Sequence, residues 1–163
     1  MSDPATADTR QYVLFRLRDE EYGLPISAVR SIIRHEVPTP VPGAPAEVEG
    51  VFNLRGQVIP LIDLGQHLLS DALVVTDAAR VIVAETSYGP VGLAVDCVRE
   101  VANIAVADIR PAPAAALATE TADAFEGVAP YGDRLLILLD PEKALPRPVF
   151  ASAAALTGDG DDA

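Results

Sequence analysis

The groups in this chain best suited to chemistry are three aspartates, two histidines and a thiol, and their spacing supports none of the usual reactions. Asp63, Asp96 and Asp140 stand beside apolar runs, where a pair of carboxylates could share general acid–base work. Asp63 and Asp140 each end a β-prone run and precede a helix-compatible segment, so helix capping accounts for both. His35 and His67 lie far apart and lack metal-ligand spacing to each other or to Cys97. Both read as surface or packing histidines. Cys97 follows an acid, the wrong neighbour for a reactive thiolate, and reads as a small packing residue. The sequence contains no G-x-S-x-G, no phosphate-cradling glycine loop and no H-E-x-x-H. The run Asp159 to Asp162 has the acids of a calcium loop without its later bidentate Glu. No catalytic, cofactor-binding or metal-binding residue is expected.

A cation remains. Between Gly50 and Leu64, two β-prone runs (Val51, Phe52, Leu54, then Val58, Ile59, Leu61, Ile62) flank a short turn holding Arg55 and Gly56. Gly56 supplies the permissive backbone of a tight turn. Arg55 has no apolar stripe to join and is expected to project from a rigid hairpin. An Arg held with little conformational entropy to lose suits recognition of a partner better than chemistry.

The elements that must position it follow from composition and pattern. The chain has 163 residues, enough for one domain, and half of them are hydrophobic. Its net charge of −12 argues against nucleic acid and against direct docking on anionic lipid. One cysteine allows no intrachain disulfide and suits a reducing compartment. The first residues, MSDPATADTR, lack the apolar core of a signal peptide, and no apolar run approaches the ~20 residues of a membrane helix. These features predict a cytoplasmic protein with no membrane insertion. Residues 1–9 read as a disordered leader, 10–146 as the folded domain, and 147–163 as a flexible acidic, Ala-rich tail.

Within the domain, strands are expected over 12–17, 22–26, 32–37, 81–84, 91–95, 98–104, 125–129 and 135–139, besides the Arg55 hairpin. Ser27–Ser31 reads as one helical turn. Short helices are expected after Asp63, through Leu69, and over Glu142–Leu145. The prolines from Pro38 to Pro45 make a loop. Many short strands divided by Gly and Pro predict barrels or a sandwich. The two halves also match each other. Gly23-Leu24-x-Ile26-x-x-Val29-Arg30-x-Ile32 aligns with Gly92-Leu93-x-Val95-x-x-Val98-Arg99-x-Val101, 69 residues on, and Gly50 through Asp63 echoes Gly127 through Asp140, 77 residues on. Two small β units sharing a core are predicted.

Four segments carry a family resemblance: Asp19-Glu20-Glu21-Tyr22-Gly23, Gly50-Val51-x-Asn53-Leu54-Arg55-Gly56-x-Val58-Ile59-Pro60-Leu61-Ile62-Asp63-Leu64, Ile109-Arg110-Pro111-Ala112-Pro113, and Gly132-Asp133-Arg134-Leu135-Leu136-Ile137-Leu138. On these the chain resembles the CheW-like adaptors of bacterial and archaeal chemotaxis. The resemblance implies an all-β fold of two intertwined five-stranded SH3-like barrels with a few short helices. It implies a non-enzymatic scaffold without cofactor, coupling the cytoplasmic tips of methyl-accepting chemoreceptors to the regulatory domain of the histidine kinase CheA. Arg55, Gly56, Gly50 and Val29 would form or support the receptor site. Gly92 and Val101 would shape the second barrel on the coupling side, where Arg110 would also lie. Ser31 stands where the family often has Glu. Ala114 and Ala115 stand where some members have an acid and an aromatic that pack kinase–adaptor rings. An adaptor of another chemosensory pathway, such as pilus motility, would use the same surfaces. A small β-barrel enzyme working through Asp63 or Asp96 is the remaining alternative.

Overall fold

The computed structural model describes residues 8–87, 89–111 and 125–144. The leader to residue 7, the 112–124 connector with Ala114 and Ala115, and the tail from residue 145 lie outside the described residues. The strands are β1 (Thr9–Leu17), β2 (Glu20–Pro25), β3 (Val29–Arg34), β4 (Val48–Leu54), β5 (Gln57–Asp63), β6 (Arg80–Thr86), β7 (Gly89–Val95), β8 (Cys97–Ala105), β9 (Phe125–Tyr131) and β10 (Arg134–Leu139). The helices are α1 (Leu64–Leu69) and α2 (Pro141–Ala144), with single 3-10 turns at Ile26–Ala28 and Val106–Asp108.

Chain order alone would keep each half in its own sheet, but the halves exchange their first hairpins. The first lobe has the strand order β3-β6-β7-β5-β4 and the second β8-β1-β2-β10-β9. Replacing each strand by its repeat counterpart converts one order into the other. The registers agree as well. Leu61 of β5 lies parallel to Gly92 of β7, and their counterparts Leu138 and Gly23 pair in the second lobe. A bulge between Val29 and Ser31 recurs where β8 meets β1 between Leu14 and Phe15. The repeat seen in the sequence is therefore a structural duplication with swapped arms.

Backbone bonds bring the edges of each sheet together. Beyond β3, Thr39 exchanges two bonds with Val51 of β4, at 2.8 and 2.9 Å. Beyond β8, Arg110 does the same with Val128 of β9, both at 2.8 Å. Each five-stranded sheet thus curls into an SH3-like barrel.

The apolar residues separate into three cores. Ile59, Leu61, Val81, Val83 and Ala94 fill the first lobe, and Tyr12, Leu14, Ala102, Ile104, Ala129, Leu136 and Leu138 fill the second. The largest cluster lies between the lobes and includes Val13, Phe15, Leu17, Leu24, Ile62, Ile82, Leu93 and Val95. Along β1, Tyr12 and Leu14 enter the second lobe while Val13, Phe15 and Leu17 enter the shared core. Strands buried on both faces need apolar residues at every position, which is why β1 and β6 read as continuous runs. The shared core and the exchanged hairpins make the lobes one folding unit.

Several boundaries move from their sequence expectations for identifiable reasons. β1 begins at Thr9 because Thr9, Arg10 and Gln11 pair with Ala105, Ile104 and Asn103 of β8. The helical turn closes by Ala28 and β3 starts at Val29, three residues early, because β6 offers Val29 a partner in Ala84. α1 starts as expected, with the Asp63 carboxylate accepting from the Gln66 amide at 3.0 Å.

Candidate functional site

The β4–β5 register pairs Leu54 with Gln57 and leaves Arg55 and Gly56 as a two-residue loop. Both loop residues lie in the left-handed region, at φ +53° and +86°. That is the turn family whose twist matches a right-twisted hairpin. Asn53 accepts from the Gly56 amide at 2.9 Å and fixes the loop. Arg55 is exposed, and among the described residues no carboxylate lies within ion-pair reach of it. A Cβ on Gly56 would meet nothing, so its left-handed backbone, not crowding, calls for glycine there.

Gly50 is required for a different reason. It is buried in β4 at φ +153°, and a Cβ would collide with the Thr39 carbonyl, its carbon only 2.7 Å away. The glycine admits the backbone that closes the first barrel. Its counterpart Gly127 is crowded too, though less tightly, by the Arg110 carbonyl oxygen at 2.6 Å. Val29 opens β3, is half-buried, and packs against the shared core at the seam between the lobes. Ile32, further along β3, is 41% exposed.

Arg30 joins these pieces. Its guanidinium donates to Gln57 at 3.3 Å and to Glu85 at 3.4 Å, so the strand carrying Val29 is tied to the hairpin carrying Arg55. Arg30, Arg55, Gly56 and the partly exposed Val58 therefore share one end of the first lobe. Gly50 sits four residues back along β4, about 13 Å at ~3.3 Å per residue, and acts through the backbone. Sequence reasoning did not place Arg30 in this group. Its only signal was the Arg matched at Arg99 in the repeat.

The positions assigned to the coupling side divide between the lobes. Gly92 belongs to β7 of the first lobe, where a Cβ would come within 2.9 Å of Phe52 and Val81. Val101 is 49% exposed on β8 of the second lobe. Val101 thus lies on the second barrel, whereas the expectation that Gly92 shapes it is corrected by the hairpin exchange, which carries Gly92 into the first. Arg110 has its backbone bonded to β9 and its side chain exposed.

The carboxylates weighed for catalysis have structural work. Asp63, 5% exposed, caps α1 and also accepts from the Leu73 amide at 2.8 Å. Asp96 accepts from the Arg18 amide at 3.0 Å and its guanidinium at 2.7 Å. Arg18 also reaches Asp71, and thereby pins the β1–β2 turn against the end of α1. Its counterpart, Ser87, donates its hydroxyl to Glu142 in the first turn of α2 at 2.7 Å. Asp140 accepts from the Glu142 amide at 2.9 Å.

Both histidines are buried against acids of the β4 entry: His35 contacts Glu49 at 3.1 Å and His67 contacts Glu47 at 3.5 Å. Burial raises the pKa of Glu49 above the usual carboxylate value, and the His35 contact opposes this. In the second lobe Glu126, counterpart of Glu49, is bonded by the Tyr12 hydroxyl. Burial first, then that bond, push the Tyr12 phenol up to about 12. Among the described residues no three His, Cys, Asp or Glu are grouped to hold a metal ion, and no helix is long and apolar enough to cross a membrane.

Comparison with known proteins agrees with this architecture. The sequence profile described as the CheW-like domain matches residues 11–149. Chemotaxis protein CheW of Klebsiella aerogenes is 36% identical over 138 residues, covering 83% of this chain and 81% of that protein. Chemotaxis protein CheW of Rhizobium meliloti is 36% identical over 137 residues, covering 84% of this chain and 88% of that protein. The crystal structure of scaffolding protein TtCheW from Thermoanaerobacter tengcongensis superposes with a TM-score of 0.78 at 29% identity, covering 91% of this chain and 96% of that one. Profile, sequences and swapped double barrel agree: this chain belongs to the CheW-like domain family.

Proposed function

We propose that the protein is a non-enzymatic scaffold of chemotaxis signalling that couples receptor tips to the regulatory domain of the histidine kinase CheA, in the cytoplasm beneath a receptor array. The observation that carries the receptor side is Arg55, a cation on a rigid two-residue turn with no ion-pair partner among the described residues. A guanidinium held this way can take a carboxylate from an approaching helix in bidentate geometry with little entropy lost. Val29 at the seam, with Ile32 and Val58 exposed nearby, offers apolar surface for the stripe of the same helix. Arg30 is engaged by Gln57 and Glu85, which keeps the strand and hairpin in register instead of competing for the ligand. Gly50 and Gly56 support this face through the backbone. The kinase side rests on family membership, with Arg110 and Val101 exposed on the second lobe as its candidate contacts and Gly92 acting through packing. Each contact is expected to be modest in affinity, with avidity supplied by an array.

The test is a pull-down of wild-type protein and Arg55→Asp from host lysate, read by mass spectrometry. The proposal expects kinase with both baits and receptors with the wild type alone. Loss of both partners, or of neither, would contradict the assignment of Arg55.

A further inference from the structure

The last described helix lies beside the face that carries Arg55. In the first lobe the β4–β5 turn and the β6–β7 turn stand at the same end, because β5 runs parallel to β7. β6 and β5 flank β7, so the two turns are about two strand spacings apart, roughly 10 Å. Glu142 of α2 grips the β6–β7 turn, accepting from the Ser87 amide and, at 2.7 Å, from its hydroxyl. Ala144 ends the same helix. Residues 145–163 therefore depart from the end of the lobe that presents Arg55, Arg30 and Val58.

That end has uncovered apolar surface. Ile26, in the 3-10 turn beside β6, is 38% exposed, whereas its counterpart Val95 is buried in the shared core. Ile32 and Val58 are exposed as well. The neighbouring acids are engaged, Glu85 by Arg30 and Glu142 by Ser87. Arg55 has no ion-pair partner among the described residues. The face thus calls for a carboxylate and an apolar cover, and residues 145–163 carry both. Leu156 stands three residues before Asp159, Asp161 and Asp162 follow, and the only opposing charge in the segment is Arg147. Asp159 is 15 residues beyond Ala144, a reach of up to about 50 Å when extended, well beyond the distance to Arg55.

We propose that segment 145–163 is an intramolecular occupant of this face: its acids meet Arg55, Leu156 covers Ile32 and Val58, and a receptor helix has to displace it. The competition rests on the receptor reading above, whereas the contact itself does not. A tethered ligand acts at an effective concentration on the order of 1 mM. A carboxylate–guanidinium contact with one apolar side chain is weak as a free peptide, and tethering makes it enough to hold the face for part of the time. The segment then sets a threshold. A solitary receptor tip meets a partly covered site, and receptors clustered in an array displace the cover by avidity.

The test is amide NMR of the full chain without any partner, wild type against a tail variant carrying Asp159→Asn, Asp161→Asn and Asp162→Asn. A control variant removes the same charge from exposed turn positions of the second lobe, through Asp19→Asn, Glu20→Gln and Asp133→Asn. The proposal expects the Arg55, Gly56 and Val58 amides to shift in the tail variant and not in the control. A receptor-tip fragment should bind the tail variant about two- to fivefold more tightly than wild type, as release from an internal competitor of millimolar strength implies, with the control unchanged. Absence of those amide shifts, or equal shifts in the control, would overturn the proposal whatever the receptor does. So would shifts that vanish on dilution, which assign the contact to a second copy of the chain. Equal receptor affinity for tail variant and wild type would overturn the competition. Amide shifts with no receptor binding by either protein would fault the receptor reading and uphold the contact.

Discussion

Gly50→Ala should destabilise the protein without touching the partner face directly, and the size of the effect can be worked from the backbone. The new methyl would run into the Thr39 carbonyl, which is main chain and cannot rotate away. Moving it breaks the Thr39–Val51 bridge, two hydrogen bonds worth about 1 kcal/mol each. Holding alanine at φ +153° costs roughly 1–3 kcal/mol more. The sum is about 3–5 kcal/mol, a large share of the ~5–15 kcal/mol that holds a typical domain together. For a chain of this size it corresponds to a melting temperature lower by roughly 6–20 °C. Urea and thermal unfolding measure it. Gly127→Ala, at the counterpart bridge, should cost less, because its Cβ would stand farther from the facing carbonyl and its backbone is not at positive φ. Gly56→Ala, left-handed but uncrowded, should cost only about 1 kcal/mol. A Gly50→Ala protein that melts within a degree or two of wild type would refute the barrel-closure reading. Equal losses for Gly50→Ala and Gly56→Ala would refute the distinction between crowding and turn geometry.

Two other perturbations probe the scaffold. Asp63→Ala removes acceptors from the Gln66 and Leu73 amides and should cost about 2–4 kcal/mol, with hydrogen exchange rising first in α1 and the loop after it. The Tyr12 phenol has its folded pKa raised from 10 to about 12, so the folded state keeps a proton the unfolded chain has lost. The contribution to stability is therefore full below pH 10 and is lost as pH rises to about 12. Tyr12→Phe should be less stable near neutrality and should lack that alkaline decline, which phenolate absorbance and chemical denaturation across that range would reveal.

Much of this architecture was legible in the residues. Asp63 before Leu64 signals a cap, Arg55-Gly56 between two β-prone runs signals a tight hairpin, and the match of Gly23 through Ile32 with Gly92 through Val101 signals a duplication. The exchange of hairpins was not legible from the residues alone. Matching halves say that two units are alike, and both the swapped and unswapped pairings satisfy the same apolar pattern. An unswapped pairing would leave Gly92 in the second barrel, and the exchange puts it in the first. The site was legible at Arg55 and Gly56, where local turn chemistry dominates. It was not legible at Arg30, whose role comes from a side-chain contact with Gln57 that only the closed barrel creates. Gly50 could be seen as an unusual glycine in a strand, but its crowding partner, Thr39, lies across a proline-rich loop whose path has no periodic signal.

The central claim is that Arg55 recognises a partner on a fold that does not depend on it. The most direct test is the affinity of purified wild type and Arg55→Asp for a receptor-tip fragment and, separately, for the CheA regulatory domain, with both melting temperatures recorded. At φ +53° an aspartate is at least as well accommodated as arginine, so stability should stay within about 0.5 kcal/mol. The account predicts a loss of receptor affinity of at least about tenfold, with kinase affinity unchanged. Undiminished receptor binding, or a receptor loss matched by a collapse in melting temperature, would contradict it.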